Sequence, residues 1–213
     1  MDSSTGRGRV AERPSADPTS RGEIVTREGV VLRVRPISDA DREALRDAFE
    51  KLSAESRYRR FLTPVQRLSA AQVDAFTRVD HDCQEALVAL DPEGEIVGVA
   101  RFVRVAADSD TAEVAVTIAD EWQHCGIGTA LLHRLAERAE DLGIERFVAT
   151  CLMANNDMLQ LLRDVGISFT RTGASCGAIE VEVELPTKVS REHLSRAVRL
   201  VAAAHGQLIP INH

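Results

Sequence analysis

The chain has 213 residues, of which 44% are hydrophobic, 28% charged and 4% aromatic, and a formal net charge of −7. That length fits one domain of about 100–200 residues with extensions at its ends, and the composition is globular rather than disordered or fibrous. The acidic balance without a basic stripe argues against nucleic acid as a partner, and with no apolar run of about 18 residues and no signal-peptide core the chain reads as cytoplasmic, with no membrane partner.

Met1 to Gly22 mix Ser, Gly, Pro, Asp and Arg without apolar periodicity, so residues 1–22 are expected to form a disordered tail. Val30 to Ile37 alternate apolar and polar side chains as a half-buried strand does, ending at Pro36. Ser38 and Asp39 are N-cap candidates for a helix whose Ala40, Leu45, Ala48, Phe49 and Leu52 share one face. Ser53 to Leu62 and Ser69 to Val79 read as two further helices, the first stopped by Pro64.

Glu85 to Leu90, the turn DPEG, and Glu95 to Val105 form a hairpin signal, and Thr111 to Ala119 add a third alternating strand. A helix then precedes the strand Arg146 to Leu152. Asn155 to Gly166 read as a helix with Asn caps and a terminal glycine, followed by strands at Ile167–Arg171 and Ala178–Leu185. The order β, helices, βββ, α, β, α, ββ predicts an α/β or α+β domain over residues 23–186, with a mixed sheet. Residues 187–213 are expected to form a helical extension, with Leu194, Ala197, Val198, Val201 and Ala202 on one face and Gly206 as its stop. That face would dock on its own domain, pair two copies or cover part of the active site, so monomer and homodimer both stay open.

Four cysteines, Cys83, Cys125, Cys151 and Cys176, show neither CxxC spacing nor a Cys/His cluster, so reduced thiols and no metal site are expected. The stretch Gln123-His124-Cys125-Gly126-Ile127-Gly128 carries the strongest chemical signal. A nucleoside-triphosphate loop would need a lysine after the second glycine, where Thr129 and Ala130 stand, and a dinucleotide fingerprint would need glycine at Leu131. A third reading fits better: a glycine turn that presents successive N–H groups, with the positive end of a helix dipole, to a diphosphate. A plain strand-to-helix turn is the bland alternative.

The run from Thr111 to Gly166, with Gln123, Gly126 and Gly128 in a [Q/R]xxGx[G/A] pattern, resembles the acyl-CoA-binding core of the GNAT acetyltransferase superfamily. The similarity extends from about Val30 to Leu185. SAESRYRRFL and the NxxM of Asn155–Met158 are similar to the acetyltransferase domains of bacterial protein-lysine acetyltransferases. The resemblance implies a GNAT fold, mixed and mostly antiparallel, flanked by helices and splayed to admit the CoA arm. It implies acetyl-CoA as cosubstrate, with pantetheine along Val116, Thr117 and Ile118 and the pyrophosphate on Gln123, His124, Cys125, Gly126, Ile127, Gly128 and Thr129. Asn155 would help hold the cofactor arm; a simple helix N-cap is its other reading, and both can hold together.

An amine must lose its proton before it attacks a thioester, and a lysine ammonium with a pKa of about 10.4 needs an acceptor for it near neutrality. The resemblance gives that role to Glu113, whose other reading is a solvent-facing strand glutamate on the face of Ala115 and Thr117. An N–H near Ile118, where family members have a strand bulge, would bind the oxyanion. Leu162 stands where many relatives carry a tyrosine acid, so solvent would protonate a thiolate whose thiol has a pKa of about 8.5. Tyr58 borders the acceptor cleft in relatives and is read either as a substrate contact or as half-buried packing beside Phe61; His81 reads as a loop residue.

His124 and Cys125 replace the glycine and cation common in the family, which implies weaker CoA binding; Cys125 reads as an inert thiol rather than a redox-sensitive one. The implied function is acetyl transfer to a protein lysine or a small amine, by direct attack in a ternary complex. A non-catalytic acyl-CoA-binding regulatory domain is the alternative.

Overall fold

The structure, a computed structural model, describes residues 22–107, 109–158, 160, 169–175 and 177–185. Residues 1–21 of the expected tail, most of the helix expected at Asn155–Gly166, the C-terminal helix, Leu162 and Cys176 lie outside the described residues. Among the described residues, eight strands make one sheet: β1 (Gly22–Val25), β2 (Val31–Pro36), β3 (Gln84–Leu90), β4 (Ile96–Arg104), β5 (Thr111–Ile118), β6 (Arg146–Leu152), β7 (Phe169–Ser175) and β8 (Ala178–Glu184). Their spatial order is β1-β2-β3-β4-β5-β6-β8-β7, antiparallel except at β5/β6. The mixed, mostly antiparallel sheet expected from the sequence is present, with one strand more than anticipated. Four residues of β1, beginning at Gly22, pair with β2.

Three helices cross between β2 and β3: α1 (Arg42–Lys51), α2 (Ala54–Phe61) and α3 (Ala70–Thr77). Ser53 caps α2 by accepting from the Ser56 N–H, and Ser69 with Gln72 closes a capping box on α3. α2 ends before Pro64 is reached, because Leu62 adopts the left-handed conformation (φ 56°) and returns its N–H to the Tyr58 carbonyl. The proline is therefore not the stop. α4 (Ile127–Asp141) follows β5 and packs on the opposite face.

The sheet separates two cores. On the α4 side, Leu87, Phe102, Leu131, Leu135 and Phe147 are almost wholly buried, with Phe102 and Phe147 ring centroids 5.9 Å apart. Each such side chain contributes about 1.5–3 kcal/mol of burial relative to exposure. At Gly98 a Cβ would lie 2.9 Å from Ile118 Cδ1 and 3.1 Å from Leu131 Cδ1, so the absent side chain lets α4 approach the sheet. On the other face Ile37, Leu45 and Val88 sit under α1 and α3, beside a cluster of Phe49, Leu52, Leu68 and Val73.

Candidate functional site

β5 and β6 begin as neighbours and then part. Their parallel pairing covers Thr111↔Arg146, Ala112↔Phe147 and Glu113↔Val148, although β5 runs on to Ile118 and β6 to Leu152. On its other edge β5 stays in register with β4 from Ala112 to Ile118. The strand bulge expected near Ile118 is therefore absent. Val105 N–H donates to the Thr111 carbonyl and Ala119 N–H to the Val97 carbonyl, which places odd-numbered residues in hydrogen-bonded register with β4. Antiparallel alternation then turns the peptide groups of Val116 and Ile118 toward the gap. Two main-chain edges are thus presented where no strand covers them; the Ile118 carbonyl also accepts from Gln123 Nε2 at 3.2 Å.

The turn after β5 closes one end of the gap. His124 is left-handed at φ 62° and Gly126 at φ 87°. Nothing lies within 4 Å of where a Gly126 Cβ would stand, so conformation rather than space requires that glycine. A left-handed non-glycine residue such as His124 is uncommon and concentrates at functional turns. Gly126 is the N-cap of α4 and offers no side-chain cap, leaving the first-turn N–H groups open to an anion. Asn155 is buried and its Oδ1 accepts from Met158 N–H at 3.2 Å, so its capping role is present.

A cleft of about 780 Å³ joins these parts. It is lined by Glu113, Val116, Thr117, Ile118, Gln123, His124, Gly126, Ile127, Gly128, Thr129 and Asn155 among others. Two expected residues do not line it. Cys125 turns its sulfur to the Gln123 carbonyl at 3.4 Å and packs against the α4-side core, while Tyr58 is 42% exposed on α2. Cys83 and Cys125 are free thiols.

Several lining residues left no mark in the sequence pattern. Arg27, in the β1–β2 turn, lines the cleft beside the glycine turn, and its N–H donates to the Cys125 carbonyl at 3.4 Å. It brings a guanidinium to the region where the loop itself lacks a cation. Asp120 ties α2 to the end of β5: it accepts from Ser53 N–H at 2.8 Å, Ser53 Oγ at 2.7 Å and Ser56 Oγ at 2.7 Å. Burial opposes its charge, but those donors hold its carboxyl below the ordinary value. Ser56 Oγ also receives Gln123 Nε2 at 3.2 Å, so the loop and α2 are coupled.

On the face that carries Glu113, Ala115 and Thr117, the sheet meets two arginines. Arg60 of α2 lines the cleft, and burial lowers its pKa while the Glu113 charge partly restores it. Arg101 of β4 is lowered to about 10, by burial first and then by Arg60. Both remain cations near neutrality. No group of three or more His, Cys, Asp or Glu side chains suited to a metal occurs among the described residues, and no described helix is long and apolar enough to cross a membrane.

Residues 43–167 match the acetyltransferase (GNAT) family model. The chain is 30% identical over 164 residues to acetyltransferase Pat of Mycolicibacterium smegmatis, covering 76% of this chain and 48% of that protein. It is 32% identical over 142 residues to an acetyltransferase of Pseudomonas aeruginosa, covering 65% and 76%. The crystal structure of the GNAT domain of S. lividans PAT superposes with a TM-score of 0.76 at 35% identity, over 80% of this chain and all of that one. The chain thus spans about half the length of its Mycolicibacterium relative. By family match, identity and fold, the chain belongs to the GNAT acetyltransferase family.

Proposed function

We propose that this domain transfers the acetyl group of acetyl-CoA to an amine, that of a protein lysine, with Glu113 as the proton acceptor. One observation carries the reading: the uncovered peptide edges of Val116 and Ile118, the uncapped start of α4 and Glu113 all face one cleft. An extended chain carrying amides pairs with such a strand edge, and a diphosphate suits an uncapped helix start with Arg27 beside it. Gln123 and Asn155 would fix the arm between them. The fit needs no metal.

Acetyl-CoA, as substrate, supplies an activated acetyl thioester. The chain supplies the rest. Glu113 receives the proton of the acceptor ammonium, directly or through water, and a peptide N–H of the β5 edge donates to the carbonyl oxygen as charge develops there. Arg60 and Arg101 raise the local positive potential, which disfavours an ammonium and eases loss of its proton. The choice of a protein lysine over a small amine rests on the likeness of SAESRYRRFL and of Asn155–Met158 to the acetyltransferase domains of bacterial protein-lysine acetyltransferases.

Free thiol release from acetyl-CoA across a panel of protein lysines and small amines tests this. Turnover with a folded protein acceptor is expected. Tight acetyl-CoA binding without thiol release on any acceptor would instead make this a non-catalytic acyl-CoA-binding domain.

A further inference from the structure

Behind the cleft, under α1, α2 and α3, lies a second cavity of about 70 Å³. Arg60, Phe61 and Thr117 line both spaces, so the two adjoin at the face that carries Glu113. Leu45, Phe49, Phe76 and Val99 make the inner wall apolar. The charged residues on that wall are Arg60 and Arg101, with no carboxylate among its lining residues.

Both guanidiniums are held against aromatic rings, and that of Arg101 is left unsatisfied. Arg60 stacks over the Phe61 ring at 5.0 Å and Arg101 over the Phe76 ring at 4.8 Å. Arg101 Nη2 donates to Gln84 Oε1 at 3.3 Å, whereas its Nη1 is buried with no hydrogen-bond partner among the described residues. A buried cationic donor without an acceptor is costly, and such groups call for a ligand or a partner. Burial also weakens the hold of both arginines on their protons; Arg60 adds to this at Arg101, and the Glu113 charge partly offsets it at both.

We propose that Arg60 and Arg101 form a carboxylate-binding subsite at the inner end of the reaction cleft, taking a carboxylate carried on a short apolar stem. This inference rests on the transferase reading above. Two substrates present that chemistry at this place: the acyl group of a dicarboxylic CoA thioester, or an amine acceptor bearing a carboxylate. With the former, the C–S bond of the thioester breaks and an amide C–N bond forms. The amine proton passes to Glu113, the thiolate takes a proton from solvent, and the distal carboxylate is bound unchanged. Aliphatic and aromatic walls suit the methylenes, and the paired guanidiniums suit the terminal oxygens.

The test compares kcat/KM for succinyl-CoA and butyryl-CoA, which share chain length but differ in the carboxylate, and for 4-aminobutyrate and butylamine with acetyl-CoA. At least about a tenfold preference for the carboxylate-bearing member of one pair is expected in the wild-type protein. That preference should vanish in Arg101→Met and return in part in Arg101→Lys. Thermal melting of each variant reports its folding. The thioester arm and the amine arm identify which substrate brings the carboxylate. Wild-type protein that binds acetyl-CoA but shows no preference in either pair overturns the subsite alone. Wild-type protein that binds no CoA thioester overturns the transferase reading, and the subsite falls with it.

Discussion

Two regions of this protein enclose an arginine, and they treat it in opposite ways. Arg138 of α4 is 8% exposed and meets Glu85 of β3, itself 1% exposed, with Nε 3.3 Å from Oε2. Its Nη2 donates to the His81 carbonyl at 2.9 Å, and Glu85 Oε1 lies 2.8 Å from His81 Nδ1 and accepts from Ala86 N–H at 3.0 Å. Here charge is matched by charge and the carboxylate's oxygens are occupied. Arg101 faces a cavity, stacks on an aromatic ring and leaves Nη1 unbonded. The first arrangement fastens a helix to a sheet; the second leaves a donor open to an acceptor from outside the cavity wall. Burial of a charge therefore does not separate structure from function, whereas its partners do.

The largest effect expected from this contrast is on stability at the paired site. Glu85→Ala removes the carboxylate opposite Arg138 inside the core and should cost about 3–5 kcal/mol in urea unfolding. A loss below about 1 kcal/mol would show that α4 is not held by this pair. An intermediate case sharpens the scale: Arg35 and Asp41 form a bidentate pair at 2.7 and 2.6 Å, with side-chain exposures of 36% and 7%. Asp41→Asn should cost about 1–2 kcal/mol, less than a wholly buried pair because water reaches the arginine.

That second case also has a pH signature. Burial works against the Asp41 charge, but the bonds from Arg35 and Ser38 outweigh it and hold the carboxyl below its ordinary value of 3.8. A folded-state pKa below the unfolded one contributes stability that is present above the unfolded value and fades as pH falls through the folded one. The gap between wild type and Asp41→Asn should thus be constant above about pH 5 and shrink below about pH 4. A gap that grows on acidification would reverse the sign of the shift. The smallest effect belongs to the unpaired site: Arg101→Met should change stability by less than about 1 kcal/mol, or raise it, because an uncompensated charge leaves the core. A loss as large as that of Glu85→Ala would erase the contrast.

Much of this was legible in the chain itself. Alternation over Thr111–Ala119 and Arg146–Leu152 located β5 and β6 to within a residue, because a strand with one buried face repeats every second side chain. Gly126 marked the turn, since a left-handed position before an uncapped helix selects glycine, whereas Gly128 lies in the first turn of α4. Other parts had no such period. β1 is too short to alternate, so the stretch before Val30, with Arg27 in it, was assigned to the domain but to no element. His81 reads as loop in sequence, yet it closes the Glu85–Arg138 cluster through contacts across 4 and 57 positions. Arg60 and Arg101 come from different elements and reach one cavity only when α2 packs against the sheet, a long-range fact that local pattern does not carry.

The central claim is that Glu113 takes the proton in an acyl transfer performed in the β5–β6 cleft. Its most direct test is kcat and acetyl-CoA affinity for Glu113→Gln, measured with a protein-lysine acceptor. The expected result is a fall in kcat of about a hundredfold or more with the acetyl-CoA Kd within about threefold of wild type. Unchanged turnover in Glu113→Gln would contradict it.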